Sequence, residues 1–72
     1  NIDELIKDIY KSYIKYDPLL IDGVKINLKN SWVHIRKSNT EPIIRIYSEA
    51  ETKKEADTLS NKLIQEIKDK IN

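Results

Sequence analysis

The sequence contains no cysteine and no methionine, and only one glycine, one histidine, one tryptophan and two prolines among 72 residues. Without cysteine, disulfide staples and thiolate zinc sites are both excluded. With a single histidine as well, a transition-metal site would have to be built almost wholly from carboxylates, a poor match to such ions. No apolar run exceeds the three residues Leu19, Leu20 and Ile21, so no segment can span a bilayer as a helix. The N-terminal NIDELIKDIY lacks the basic region and apolar stretch of a secretory signal. In the absence of any methionine, Asn1 does not read as a natural start, and the chain reads as one piece of a longer, cytosolic protein. An excess of either charge is missing too. Thirteen basic and twelve acidic residues leave a net charge of +1, whereas a dedicated polyanion binder carries a strong basic surplus. At 8.5 kDa the chain is a single small domain.

What is present is clear periodicity. Ile2, Leu5, Ile6, Ile9, Tyr10, Tyr13 and Ile14 make one stripe at helical spacing, predicting a helix from about Ile2 to Lys15. Asn1 is placed to cap it and Glu4 to close a capping box, while Asp17-Pro18 ends it. The period then changes to two. Val24, Ile26 and Leu28 alternate with Lys25, Asn27 and Lys29, and Asp22-Gly23 forms a turn after a short strand at Leu19, Leu20 and Ile21. Trp32 to Arg36 and Ile43 to Ala50 read as two more strands. Thr52-Lys53-Lys54-Glu55 is a capping box opening a second helix, whose stripe is Ala56, Leu59, Leu63, Ile64, Ile67 and Ile71. Short connections require antiparallel pairing. The expected fold class is therefore α+β: a two-layer sandwich with an antiparallel sheet of three to four strands and two helices on one face, order α-β-β-β-β-α. Val24, Ile26, Val33, Ile35, Ile44 and Ile46 are its expected inner face.

The connection RKSNTEP between the last two strands is unusual, because it holds no glycine. As a plain turn, Asn39 would take the left-handed conformation and Pro42 would fix the start of the next strand. Neither role explains Arg36 at the strand end with Ser38 and Thr40 following. A phosphate needs several donors converging on its oxygens. A guanidinium fork, hydroxyls and main-chain N–H groups turned inward supply them. Lys37 could add field, and Glu41 would have to turn away, toward a cation such as Arg45. The chain encodes no nucleophile with a partnering acid at motif spacing, and so no catalytic residue.

Arg36-Lys37-Ser38-Asn39-Thr40-Glu41-Pro42, followed by Ile43-Ile44-Arg45-Ile46-Tyr47-Ser48-Glu49-Ala50, resembles the C-terminal domain of the α-D-phosphohexomutases. Asp22-Gly23-Val24-Lys25-Ile26, Trp32 and both flanking helices fit the same pattern, so the resemblance covers nearly the whole chain. It implies a parent isomerase that interconverts hexose 1-phosphate and 6-phosphate through a bis-phosphorylated intermediate. Residues 1–72 would form its C-terminal domain. A phosphoserine and a magnesium ion would lie on other domains, with which this one closes a cleft. By this resemblance Arg36, Ser38, Asn39 and Thr40 would bind the phosphate of a phosphorylated hexose, with Lys37, Glu41 and Arg45 in support. Lys37 falls where many members carry a small residue or proline. A strand that usually precedes the first helix in this family is missing from the sequence. The sugar remains open among phosphomannomutase, phosphoglucomutase and phosphoglucosamine mutase substrates, Asn39 leaning toward the first two.

Two other readings fit the same element order. Double-stranded RNA-binding domains run α-β-β-β-α and open their second helix with lysines. Here Glu49, Glu51, Glu55 and Asp57 surround Lys53 and Lys54, which fits a solvated helix turn better than a phosphate clamp, so no nucleic acid is expected as partner. A plain interaction domain would use Trp32, His34, Ile43 and Tyr47 on the outer sheet face. The amphipathic first helix is accounted for by the sheet, with no need of a membrane.

Overall fold

Leu5 and Ile9, one helical turn apart, are the buried residues of the first helix, α1 (Ile2–Ser12), which lies on the sheet along that line. A computed structural model describes residues 2–38, 40, 41 and 43–71, so the capping role given to Asn1 lies outside the described residues. The helical path tightens at Tyr13, whose N–H is shared between the carbonyls of Ile9 (3.2 Å) and Tyr10 (3.3 Å). A 3-10 turn over Ile14–Tyr16 follows, and Asp17 closes it in the left-handed region with φ 53°. The α-helix thus ends at Ser12, short of the expected Lys15, and the 3-10 turn carries the chain on to Asp17-Pro18.

The remaining elements are β1 (Val24–Leu28), β2 (Ser31–Lys37), β3 (Ile44–Glu49) and α2 (Lys53–Ile71). The three strands form one antiparallel sheet in sequence order. The fourth strand expected at Leu19 to Ile21 is absent. Leu19 makes a single bridge to Lys25, with both backbone hydrogen bonds at 2.8 Å. It goes no further because Asp22 (φ 50°) and Gly23 (φ 124°) reverse the chain at once, leaving Leu20 and Ile21 exposed. Between β1 and β2 the reversal takes two residues, with Asn30 left-handed at φ 64° and Leu28 paired with Ser31 on either side.

Alternation decides which face is covered. Val24 and Ile26 on β1, and Val33 and Ile35 on β2, are fully enclosed with Leu5, Ile9, Leu63 and Ile67 from the helices. Ile44 and Ile46 of β3 and Leu59 of α2 pack around this cluster, so both helices cover one side of the sheet. Ile64 and Ile71, expected in the stripe of α2, are exposed: Ile64 falls to the side of the Leu63–Ile67 line, and Ile71, although it continues that line, is the last residue of the helix. The inner face also carries polar ties. Ser48 Oγ donates to the Ala56 carbonyl at 2.8 Å and lies 2.6 Å from Ser60 Oγ, joining β3 to α2. Thr52 Oγ1 accepts from the Glu55 N–H at 3.1 Å, capping α2 as its sequence predicts.

Candidate anion-binding site

The side of the sheet away from the helices carries the polar chemistry. On β2 it presents Trp32, His34 and Arg36, and register sets Glu49, Tyr47 and Arg45 of β3 directly opposite them. Arg36 and Arg45 therefore stand side by side as like charges on one face. Like charges directly opposite one another in a sheet are unfavourable, and an anion between them would reverse the sign of that interaction.

A shallow concavity of about 180 Å3 opens at this point, lined by Arg36, Lys37, Ser38, Arg45 and Tyr47. The strand pairing runs one step past β2, since the Ser38 N–H donates to the Ile43 carbonyl at 3.0 Å. That bond fixes Ser38 beside the arginines. Within the loop the Thr40 N–H points at Ser38 Oγ (3.4 Å), and the two hydroxyl oxygens lie 3.5 Å apart. These contacts are long, and both side chains keep capacity for a further partner. Of the residues expected to bind an anion, the structure thus brings together Arg36, Ser38 and, through Ser38, Thr40. Asn39 and Pro42 lie outside the described residues.

The supporting residues divide. Arg45 lines the concavity. Lys37 belongs to the inner alternation of β2, and its ammonium pairs with Asp3 Oδ1 of α1 at 3.1 Å, so its charge is offset locally. Glu41 is exposed, and no ion pair joins it to Arg45 among the described residues. Arg36 is itself paired: Asp22 Oδ2 lies 3.8 Å from Nη2, with the arginine side chain 42 % exposed and the aspartate 77 %. The guanidinium is therefore accompanied by a carboxylate without being enclosed by it. The Asp22 contact and the presence of Tyr47 in the concavity were not visible in the loop motif. Only the pairing register carries β3 to β2, and only the lone glycine marks where Asp22 meets Arg36.

Elsewhere the outer face is held by its own contacts. Lys25 Nζ lies 4.8 Å from the Trp32 ring centre, and His34 Nε2 donates to the Ile21 carbonyl at 2.6 Å. Trp32 and His34 thus fasten the sheet and the loop beside it. A larger, open concavity at the other end of the sheet mixes Lys29, Lys54 and Lys62 with Glu51 and Glu55, a set of both signs with no guanidinium. Among the described residues no group of three or more His, Asp and Glu is placed to hold a metal ion. Among them, too, no helix is long and apolar enough to cross a membrane.

Comparison with known proteins agrees with the loop motif. A family model described as phosphoglucomutase/phosphomannomutase, C-terminal domain, matches residues 2–66. The phosphoglucosamine mutase of Methanocaldococcus jannaschii is 43% identical over 61 residues, covering 85% of this chain and 14% of that protein. The phosphomannomutase of the same organism is 41% identical over 70 residues, covering 97% of the chain and 14% of its own length. A phosphoglucosamine/phosphogalactosamine mutase of Sulfurisphaera tokodaii is 42% identical over an alignment of 65 residues that covers 82% of the chain and 14% of that protein. The chain spans about one seventh of the length of these relatives (14% of each). No solved structure matches it. With the match running from the first residues of α1 into the last turns of α2, the chain belongs to the phosphoglucomutase/phosphomannomutase C-terminal domain family.

Proposed function

We propose that this chain is the phosphate-gripping C-terminal domain of a phosphohexomutase, and that Arg36, Ser38, Asn39 and Thr40, with Arg45 in support, hold the phosphate that is not being transferred. The observation that carries this reading is the placement of Arg36 opposite Arg45, with Ser38 lining the same concavity. Two guanidiniums and a hydroxyl offer a dianionic ester charge-assisted donors from several directions. Binding energy gained at this remote phosphate would order the sugar and favour closure of the other domains over it. The site reads charge and offers little that reads a sugar ring, which suits an intermediate whose two phosphorylated ends must each fit the same grip.

In this reading the parent is a cytosolic isomerase. Its phosphoserine and magnesium ion belong to other domains, and the present chain alone turns over no substrate. Magnesium would supply charge stabilisation at the transferred phosphoryl group. The relatives are named for both phosphoglucosamine and phosphomannose substrates, and the choice of sugar falls to domains beyond this chain. A nucleic-acid reading finds less support: Lys53 and Lys54 are solvated residues of an acidic-flanked helix turn.

The test is Arg36→Ala in the full-length enzyme. Loss of a bidentate charge-assisted contact should lower kcat/KM by a factor equivalent to about 2–3 kcal/mol. An unchanged kcat/KM would remove Arg36 from substrate binding and end the assignment.

A further inference from the structure

Asp22 is the one carboxylate that the described residues place within ion-pair distance of either site arginine. Its position is built rather than incidental. Asp22 and Gly23 both have positive φ, 50° and 124°. A Cβ on Gly23 would lie 2.1 Å from the Ile35 carbonyl oxygen and 3.1 Å from the Arg36 Cα, so only glycine lets the chain lie this close to β2. On the other side of Asp22, the Ile21 carbonyl is held by His34 Nε2. One neighbour of Asp22 is therefore bonded to β2 at His34, and the other lies against β2 at Ile35 and Arg36. Backbone held in such a conformation by its surroundings marks a position whose placement matters.

The contact has a particular character. At 3.8 Å it is longer than a charge-assisted hydrogen bond of about 2.7–2.9 Å. Asp22 therefore offsets the charge of Arg36 without using up its N–H donors. Both groups remain partly open to water, so the pair is weak and readily exchanged.

We propose that Asp22 is a placeholder anion: it neutralises Arg36 beside Arg45 while the loop is empty, gives up the guanidinium to an incoming phosphate, and by its charge limits how tightly that phosphate is held. This rests on the phosphate-gripping reading above. A dianion arriving at the arginines also meets the negative charge of Asp22, so the grip is looser than two guanidiniums alone would make it. A ligand that must be released, turned and gripped again is served by such moderation.

The experiment is a titration of inorganic phosphate into the chain, following the amide signals of Ser38 and Thr40, for the unsubstituted protein and for Asp22→Asn, Asp22→Glu and Arg36→Ala. Asparagine tolerates the left-handed conformation as aspartate does, so Asp22→Asn removes the charge and keeps the turn. It should bind phosphate about three- to tenfold more tightly, the effect shrinking as salt is raised. Asp22→Glu should stay near the unsubstituted protein. Unchanged or weaker binding by Asp22→Asn, with binding still lost in Arg36→Ala, overturns the placeholder role and leaves the phosphate reading standing. Undiminished binding by Arg36→Ala, or no saturable shift in the unsubstituted chain, overturns the phosphate reading itself.

Discussion

Arg36 and Arg45 face each other across β2 and β3, like charges at directly paired positions on the open side of the sheet. Folding alone gives no reason for this, since such a pair costs roughly 0.2–1 kcal/mol relative to a neutral one. Arg45→Gln should therefore raise stability toward urea by up to about that amount. The same substitution should weaken the hold on phosphate and raise KM in the full-length enzyme. A variant that loses both stability and phosphate binding would mean that Arg45 is a structural residue.

Gly23 is where the loop of Asp22 closes on β2. In Gly23→Ala the new methyl meets the Ile35 carbonyl oxygen at 2.1 Å, and φ 124° is hostile to any Cβ. The fold should lose about 1–3 kcal/mol, read as a lower urea midpoint. Amide shifts should concentrate at Ile35 and Arg36.

Tyr13 joins the two helices at the end of α1. Its hydroxyl donates to Glu66, with the carboxylate oxygens at 2.7 and 2.8 Å. Tyr13→Phe should cost about 1 kcal/mol, the usual worth of a partly buried hydrogen bond to a charged acceptor after screening. Burial first, and then the bond to Glu66, push the phenol pKa above its ordinary value of 10.0. Because the folded state holds the proton more strongly than the unfolded one, this stabilisation is complete below pH 10 and is lost as pH rises beyond it. Thermal melts at increasing alkaline pH should show the decline, and Tyr13→Phe should flatten it.

Thr52 caps α2 through the Glu55 N–H. Thr52→Ala should destabilise by about 1 kcal/mol, while Thr52→Ser should restore most of the loss. Equal stability of all three would show that the first turn is satisfied by water instead.

The inner half of the fold was open to sequence reading because period is a strong signal. Val24, Ile26, Val33 and Ile35 alternate, Leu5 with Ile9 and Leu63 with Ile67 recur at helical spacing, and all are buried as their spacing requires. Leu19 to Ile21 misled for a physical reason. An apolar triplet says nothing about whether a partner strand continues beside it, and here the reversal at Asp22 and Gly23 cuts the pairing to one bridge. At the site, Arg36, Ser38 and Thr40 were legible as a donor-rich loop. The opposition of Arg36 to Arg45 depends on register, and the approach of Asp22 on a left-handed turn many residues upstream. Neither is encoded in any local run of residues. Ser48, whose hydroxyl ties β3 to α2, was hidden in the same way by its small polar side chain on an apolar face.

The sheet divides its labour by side: Ile26 and Ile35 are sealed beneath the helices, while Arg36 and Arg45 stand on the uncovered surface. At positions of that surface that make no contact of their own, sequence drift is nearly invisible to folding, because substitutions away from packed or special positions rarely move stability by more than about 0.5 kcal/mol. A lineage carrying this domain can therefore vary the exposed positions of that surface without first acquiring compensating changes in the interior.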